Sequence, residues 1–416
     1  MKPDMLKINA FESIVEQYAT EAAFLWLLRK QSEKSTLYDQ QDLSELEQRI
    51  TGNLEGLIES GEMGWHICLR QLEFEEAGET FVAAMLALHL NDAQKIKTVC
   101  EIALENPQML PGLESALGWI NETSSKFWID RFLNVTDLRY QDLGLSACSI
   151  KRRDPVNILT RILQSHETTK NPQLYAKALK LVGELKRFDL VPALNQGMDS
   201  EDEEVKFWAS WSAILMGNLA VINNIKPFVF KQNAFLEQAL ELAFNILPND
   251  QARIWISEMS KESANLRSAI KASSILGDPQ VVPWLIQQMK NVESSRLAGL
   301  SFSLLTGIDL EQNKLDKDPD IVFKDNSDTD IEDDAENEDS DLPWPDPIKI
   351  QYFWKQQEAK FKKGNRYFAG QPITIEWLKS VLVNGNQFQR SCVALKLAML
   401  ESNSILLNTA TPTVSI

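Results

Sequence analysis

The sequence predicts an all-α fold, an α-solenoid of helical hairpins closed by a helical cap at each end. Three observations carry that expectation. Apolar residues recur at helical spacing through most of the chain. Polar breaks return about every 30 residues between positions 80 and 290. No stretch alternates apolar and polar residues strictly enough for a strand.

The repeat is clearest in ALKLVGELKRFDLVPALNQGM (178–198) and AIKASSILGDPQVVPWLIQQM (269–289). Each places Ala or Gly in a first helix, a break near its end, two aliphatic residues and Pro, and a second helix ending in Met. With breaks near Asn91, Trp119, Arg152, Arg187, Gly217, Pro248 and Gly277, the spacings are 28, 33, 35, 30, 31 and 29 residues. A unit that short buries its apolar face only by stacking on its neighbours, and small residues let the paired helices approach closely.

Residues 1–78 fall outside the repeat and read as an N-terminal helical cap. Phe11, Ile14, Val15, Tyr18, Ala22, Leu25 and Trp26 lie at helical spacing there, and the helices that follow are expected to break at Gly61 and Gly64. Residues 79–310 hold the hairpins. Residues 311–341 read as an acidic disordered loop, because ten acids and no base lie between Asp325 and Asp341. Residues 342–416 read as a docking segment and a C-terminal helical cap, with a helix over 373–383 and another from Asn386.

A formal net charge of −17 argues against nucleic acid as a partner, since phosphate neutralisation needs a surplus of Lys and Arg on one face. The start lacks the apolar core of a signal peptide, and no stretch approaches the roughly 18 apolar residues of a bilayer span. A cytoplasmic protein with no membrane partner is expected.

Chemistry-bearing residues are scarce. His66 and His89 lie in apolar helical segments, where a core or boundary histidine is expected, and His166 lies in a polar stretch with no His-Glu-x-x-His pair. Cys68, Cys100, Cys148 and Cys392 form no Cys-x-x-Cys and read as buried, reduced thiols. In GLSAC (144–148), Cys148 stands where a nucleophile elbow needs Gly, and GNLEGLIESG lacks the Lys and Ser/Thr of a phosphate loop. Asp328, Asp330 and Glu332 alternate without the Gly that turns a calcium loop. No catalytic, cofactor-binding or metal-binding residue is assigned.

Binding candidates lie in two places. Phe207, Trp208 and Trp211 in VKFWASWSAIL cannot all point into one narrow helical seam, so they either pack as a ridge between repeats or turn one ring to a groove, where it would bind a partner. In DLPWPDP, Pro343, Pro345 and Pro347 fix alternate backbone angles and hold Trp344 on an extended stem. Asp341, Leu342, Pro343, Trp344, Pro345 and Asp346 then form either an intramolecular docking point or a peptide for a partner. Arg152 and Arg153 in SIKRRDPV read as solvated turn residues or as anion contacts.

Several stretches taken together, EAAFLWLLR, LEGLIESGEMGWHICLRQL, ALGWI, KFWASWSAILMGN, ILGDPQVVPWLIQQM, RLAGLSFSLLTGIDL and DLPWPDP, are similar to a bacterial family of HEAT-like helical-repeat proteins. That family is often encoded among type VI secretion genes. The resemblance covers nearly the whole chain and implies a HEAT-like fold and a secretion context, but it carries over no active site. The function it implies is a non-enzymatic protein-binding scaffold, a cytoplasmic chaperone or adaptor for a type VI effector or spike component. An immunity protein that neutralises a cognate toxin is the alternative.

Overall fold

The structure, a computed structural model, describes residues 3–317 and 339–413. The acidic stretch from Asp325 to Glu338, with Asp328, Asp330 and Glu332, lies outside the described residues. Polar residues start the helices. Asp39, Asp92, Asn121, Asp137, Asn171 and Asp202 each accept a hydrogen bond from the first turn that follows, a cap worth about 1 kcal/mol.

The fold is all-α, with 22 α-helices among the described residues. The chain divides into two compact units, Met1–Gly217 with Ser380–Ile416, and Asn218–Lys379. The boundaries expected at 78, 310 and 341 are not those of the fold, because packing follows helix stacking and not composition.

The first unit begins with α1 (Pro3–Ser32), α2 (Gln40–Glu59) and α3 (Glu62–Gln71). It continues through α4 (Ala77–His89), α5 (Ala93–Glu105), α6 (Leu110–Trp119), α7 (Glu122–Leu133), α8 (Leu138–Lys151), α9 (Asn157–Gln164), α10 (His166–Thr169), α11 (Pro172–Glu184), α12 (Val191–Met198) and α13 (Glu203–Leu215). The first helices of successive hairpins form a row in which α1 packs on α4, α4 on α6, α6 on α8, α8 on α11 and α11 on α13. The expected N-terminal cap therefore supplies the first member of the row.

Small residues make the row tight. A Cβ at Gly112 of α6 would meet the Ala77 carbonyl oxygen at 2.0 Å, and one at Gly183 of α11 would meet Ser212 Oγ of α13 at 2.4 Å. Ser212 Oγ also donates to the Leu179 carbonyl at 2.8 Å, tying the same two helices together. Flanked on several sides, first helices lose the usual wet stripe: every residue of α4 from Thr80 to Leu88 is buried.

The breaks recur as local backbone geometry. Asn91, Arg152, Lys186 and Gly217 end first helices with φ between 50° and 99°, and Gly277 and Gly307 do so in the second unit at 68° and 70°. This left-handed residue stops the helix and reverses the chain. The turns after α6 and α15 instead leave through extended residues at Ile120 and Leu247.

The second unit holds α14 (Ile222–Val229), α15 (Leu236–Ile246), α16 (Asn249–Met259), α17 (Leu266–Leu276), α18 (Val282–Gln288) and α19 (Val292–Thr306), with α15, α17 and α19 stacked in order. After the segment that is not described come α20 (Pro347–Gln357) and a two-residue hairpin, β1 (Tyr367–Phe368) and β2 (Gln371–Pro372), antiparallel with Tyr367 opposite Pro372. The boundary between units falls inside α21 (Ile375–Asn384), and α22 (Gln387–Leu400) belongs to the first unit. Asn386 caps α22, where the sequence places a helix start.

Several expectations need correction. Phe11 and Ile14 are exposed, while Val15, Ala22, Leu25 and Trp26 are buried. Gly61, at φ 58°, breaks the chain, but Gly64 lies inside α3 and lets it sit against the Leu57 carbonyl. His66 is exposed because the buried face of α3 is Gly64, Trp65, Ile67, Cys68 and Gln71, and His89 is exposed at the end of α4. Cys392 is half-buried, unlike Cys68, Cys100 and Cys148.

Gly112→Ala tests the row. Helix propensity alone would stabilise it by about 1 kcal/mol, but the clash with backbone forces a shift. Urea unfolding is expected to show a net loss of about 1–2 kcal/mol, and a gain would mean that the α4–α6 contact is looser than described.

Candidate polypeptide-binding edge

Of the two readings of the aromatic cluster, packing between repeats is the one its burial matches. Phe207, Trp208 and Trp211 of α13 are all buried, and Trp208 stacks edge-on against both other rings at 5.0 and 5.5 Å. Lys180 of α11 holds its ammonium 4.6 Å from the Trp208 ring, covering the side that the sequence leaves open. Three aromatics that overfill one seam are accommodated because α13 is packed on more than one side.

The Pro-Trp-Pro segment docks within the second unit. Trp344 and Pro345 are buried, and Arg296 lays its guanidinium 4.1 Å from the Trp344 ring centre. Lys317 N donates to Trp344 O and Asp346 N to Leu315 O, both at 2.7 Å, so residues on either side of the undescribed segment are tied together. Asp346 caps α20, and Asp339 takes a bidentate pair from Arg267 at 2.7 and 2.9 Å. Leu342 and Pro343 are half-buried and Asp341 is exposed. Residues 311–317 and 339–341, expected to be disordered, belong to this packed structure, with Leu315 and Asp339 buried.

What the sequence did not disclose is the edge of the first unit where the first helices end. The last carbonyls of a helix lack partners within it, and each end carries partial negative charge. Stacking the helices places several such ends in one row, and cations from the adjoining turns answer them. Lys151 Nζ donates to the Ile120 carbonyl at 3.0 Å, and Lys186 Nζ donates to the carbonyls of Leu215 and Ala398. Arg153 pairs with Asp130 at 2.8 Å, and Arg187 bridges Asp154 and Asp189.

Along this edge α22 and the segment after it make two passes. Gln387 N and Phe388 N donate to the Tyr38 and Ser35 carbonyls at the start, and the end of α22 reaches Lys186. The chain then returns as a strap outside any helix or sheet, with a turn at residues 408–411. Leu406 N donates to Glu184 O at 2.9 Å, and Arg152 Nε donates to Leu406 O at 2.5 Å. Asn408 Nδ2 donates to Ile150 O at 2.8 Å. Arg29 Nη2 donates to Ala410 O at 2.9 Å, while Thr413 donates from N and Oγ1 to Glu47 Oε2 at 2.8 and 2.5 Å.

The strap's anchors are charged pairs inside the fold. Arg29 is 2% exposed and Glu47 0%, joined at 2.7 and 2.9 Å, with Glu33 on the remaining Arg29 nitrogen. Arg152 pairs with Glu184 at 3.1 Å, and Ser149 Oγ also donates to Glu184. Burial holds Arg152 below the usual guanidinium range, opposed by the Glu184 carboxylate. Arg152 and Arg153 are thus bound structural groups, neither solvated nor free to contact an anion. Burial alone lowers Lys186 to about 8.

The second unit uses the same device with different chemistry. Arg366 donates to the carbonyls of Phe244, Asn245 and Leu247 at the end of α15. Tyr367 N donates to Gly277 O, and Ala369 N and Gly370 N donate to Leu304 O and Leu305 O. A Cβ at Gly277 would lie 2.2 Å from the Tyr367 carbonyl oxygen, so this turn needs Gly for both its φ and its closeness.

Among the described residues no group of three or more His, Cys, Asp or Glu is placed to hold a metal, and no helix is long and apolar enough to cross a membrane. No protein-family model matches the chain, and neither a curated protein nor a solved structure matches it.

Two substitutions probe the edge. Glu47→Ala leaves Arg29 buried with only Glu33 and removes the acceptor of Thr413; a loss of about 3 kcal/mol is expected in urea unfolding, and a loss below about 1 kcal/mol would show that the pair is solvated. Lys186→Met isolates the buried amine. Between pH 8 and 10.5 the folded chain has released a proton that the unfolded chain still binds, so the stability of the wild type relative to this variant should rise with pH in that window. Denaturant midpoints at pH 7 and 9.5 check it, and a fall would reverse the assignment.

Proposed function

We propose that the chain is a non-enzymatic protein-binding scaffold, a cytoplasmic chaperone or adaptor that holds a type VI secretion effector or spike component. The observation that supports the binding part most directly is the strap. Its main-chain groups are gripped by donors and acceptors fixed on a row of stacked helices, so the surface has the chemistry to hold an extended polypeptide. The turns that carry it also expose Val156 and Phe188, apolar surface of the kind partners cover.

The secretion context rests on the resemblance of the sequence, and charge is compatible with it. A chain of net charge −17, ten acids of which fall within 17 residues, attracts a basic client and speeds encounter.

Affinity capture of the tagged chain from its native cells, read by mass spectrometry, tests the proposal. Enrichment of a secreted toxin or spike protein is expected, together with lower effector abundance in cells lacking the chain. Recovery of no secretion component sinks the reading. Protection of cells that express the toxin alone would replace it with an immunity function.

A further inference from the structure

The two crossing segments differ in what holds them. In the second unit Tyr367 and Phe368 are 3% and 2% exposed, so that segment is fixed by buried aromatic side chains. In the strap of the first unit, no described residue from 401 to 413 is fully buried, and Ile405 and Leu407 are 37% and 43% exposed. Its bonds to the edge are main-chain hydrogen bonds and those of the Asn408 and Thr413 side chains, with Leu406 half-buried beside them.

The anchors also keep partners without it. Arg29 stays paired with Glu47 and Glu33, and Arg152 with Glu184 and the Ser149 carbonyl. Emptying the edge therefore strands no unpaired buried charge, the outcome that would make release costly.

We propose that the edge formed by Arg29, Glu47, Arg152 and Glu184 is an exchangeable site for a segment of a polypeptide partner, which residues 404–413 of the chain occupy until that partner displaces them. The inference rests on the reading of the chain as a protein-binding scaffold, and names where the client sits and what keeps the site closed.

The bonds define the segment that fits. One residue offers both N–H and C=O, as Leu406 does to Glu184 O and Arg152. Asn follows two residues later, reaching Ile150 O and accepting from Ala410 N through its Oδ1. A carbonyl follows at the position of Ala410, and Ser or Thr at the position of Thr413, its N–H and hydroxyl both on Glu47. Positions equivalent to Ile405 and Leu407 are partly open to solvent, at 37% and 43% exposed, and make no side-chain hydrogen bond that would select a residue type. An uncharged stretch that turns after an Asn and carries Ser or Thr five residues on from it is the expected ligand.

A tethered strap competes at an effective concentration on the order of 1 mM, so it weakens binding in trans about 100-fold for a site of intrinsic Kd of about 10 µM. The test uses the full chain with a protease site inserted between the exposed Ser402 and Asn403, folded intact and then cut. The probe is a fluorescein-labelled synthetic peptide of residues 403–413, followed by anisotropy.

Saturable entry into the cut chain, with a Kd roughly 100-fold lower than for the uncut chain, is expected. A peptide carrying Asn408→Ala and Thr413→Val should compete at least 10-fold less well. Failure of the peptide to enter a cut chain whose thermal unfolding is unchanged would overturn the proposal. Should cutting unfold the chain, the uncut chain carrying the same two substitutions in its own strap decides: entry of the wild-type peptide supports exchange, and no entry overturns it. Exchange without any secretion component captured from cells sinks the secretion reading and leaves the site. A secretion partner captured equally by the wild-type and strap-substituted chains sinks the site and leaves the reading.

Discussion

Much of this structure answers one constraint: helix ends that stack in a row bring their unsatisfied carbonyls together. A single helix terminus in water is satisfied by solvent. A row of them beside packed neighbours loses that solvent, and the aligned dipoles add their negative ends. Each unit therefore needs donors and positive charge along one edge, which the first draws from its adjoining turns and the second from a segment far along the chain. Lys151, Lys186 and Arg152 serve the first unit, and Arg366 with the N–H groups of residues 367–370 serves the second.

That demand explains where an acidic chain spends some of its cations. Arg29, Lys186 and Arg390 are among the buried charged residues, each directed at a carbonyl or a carboxylate. Desolvation lowers Lys186 and Arg390 from their ordinary values. The carbonyls they meet recover part of that cost. Removing a cation would also expose a helix end.

The edge links packing to function. Gly112 and Gly183 bring first helices close enough that their ends form a continuous row. The row in turn offers a periodic pattern of charged pairs and carbonyls on which an extended chain can lie. Main-chain recognition of this sort tolerates many side chains. The aromatic residues serve the opposite end, fixing the stack itself: Trp208 and Trp211 hold α13 in place, and Trp344 holds the residues on either side of the undescribed segment.

The all-α class, the hairpin period, the polar starts and the left-handed stops could be read from the sequence, because each depends on residues within a few positions of one another. Asn171 before α11 and Gly277 after α17 declare themselves locally. The sequence also placed Trp344 outside a helix, since Pro343 and Pro345 on either side of it cannot sit in a helix interior. Whether Trp344 and the α13 aromatics face a partner or the core was a tertiary decision, because it depends on Arg296 and Lys180 arriving from other helices. So was the edge. Arg152 and Leu406 are separated by 254 positions, and no periodicity reports a bond between residues so distant. The amino-acid order alone determines the helices and their turns, while the fold decides which carbonyls lose water and therefore which cations and which strap must come to meet them.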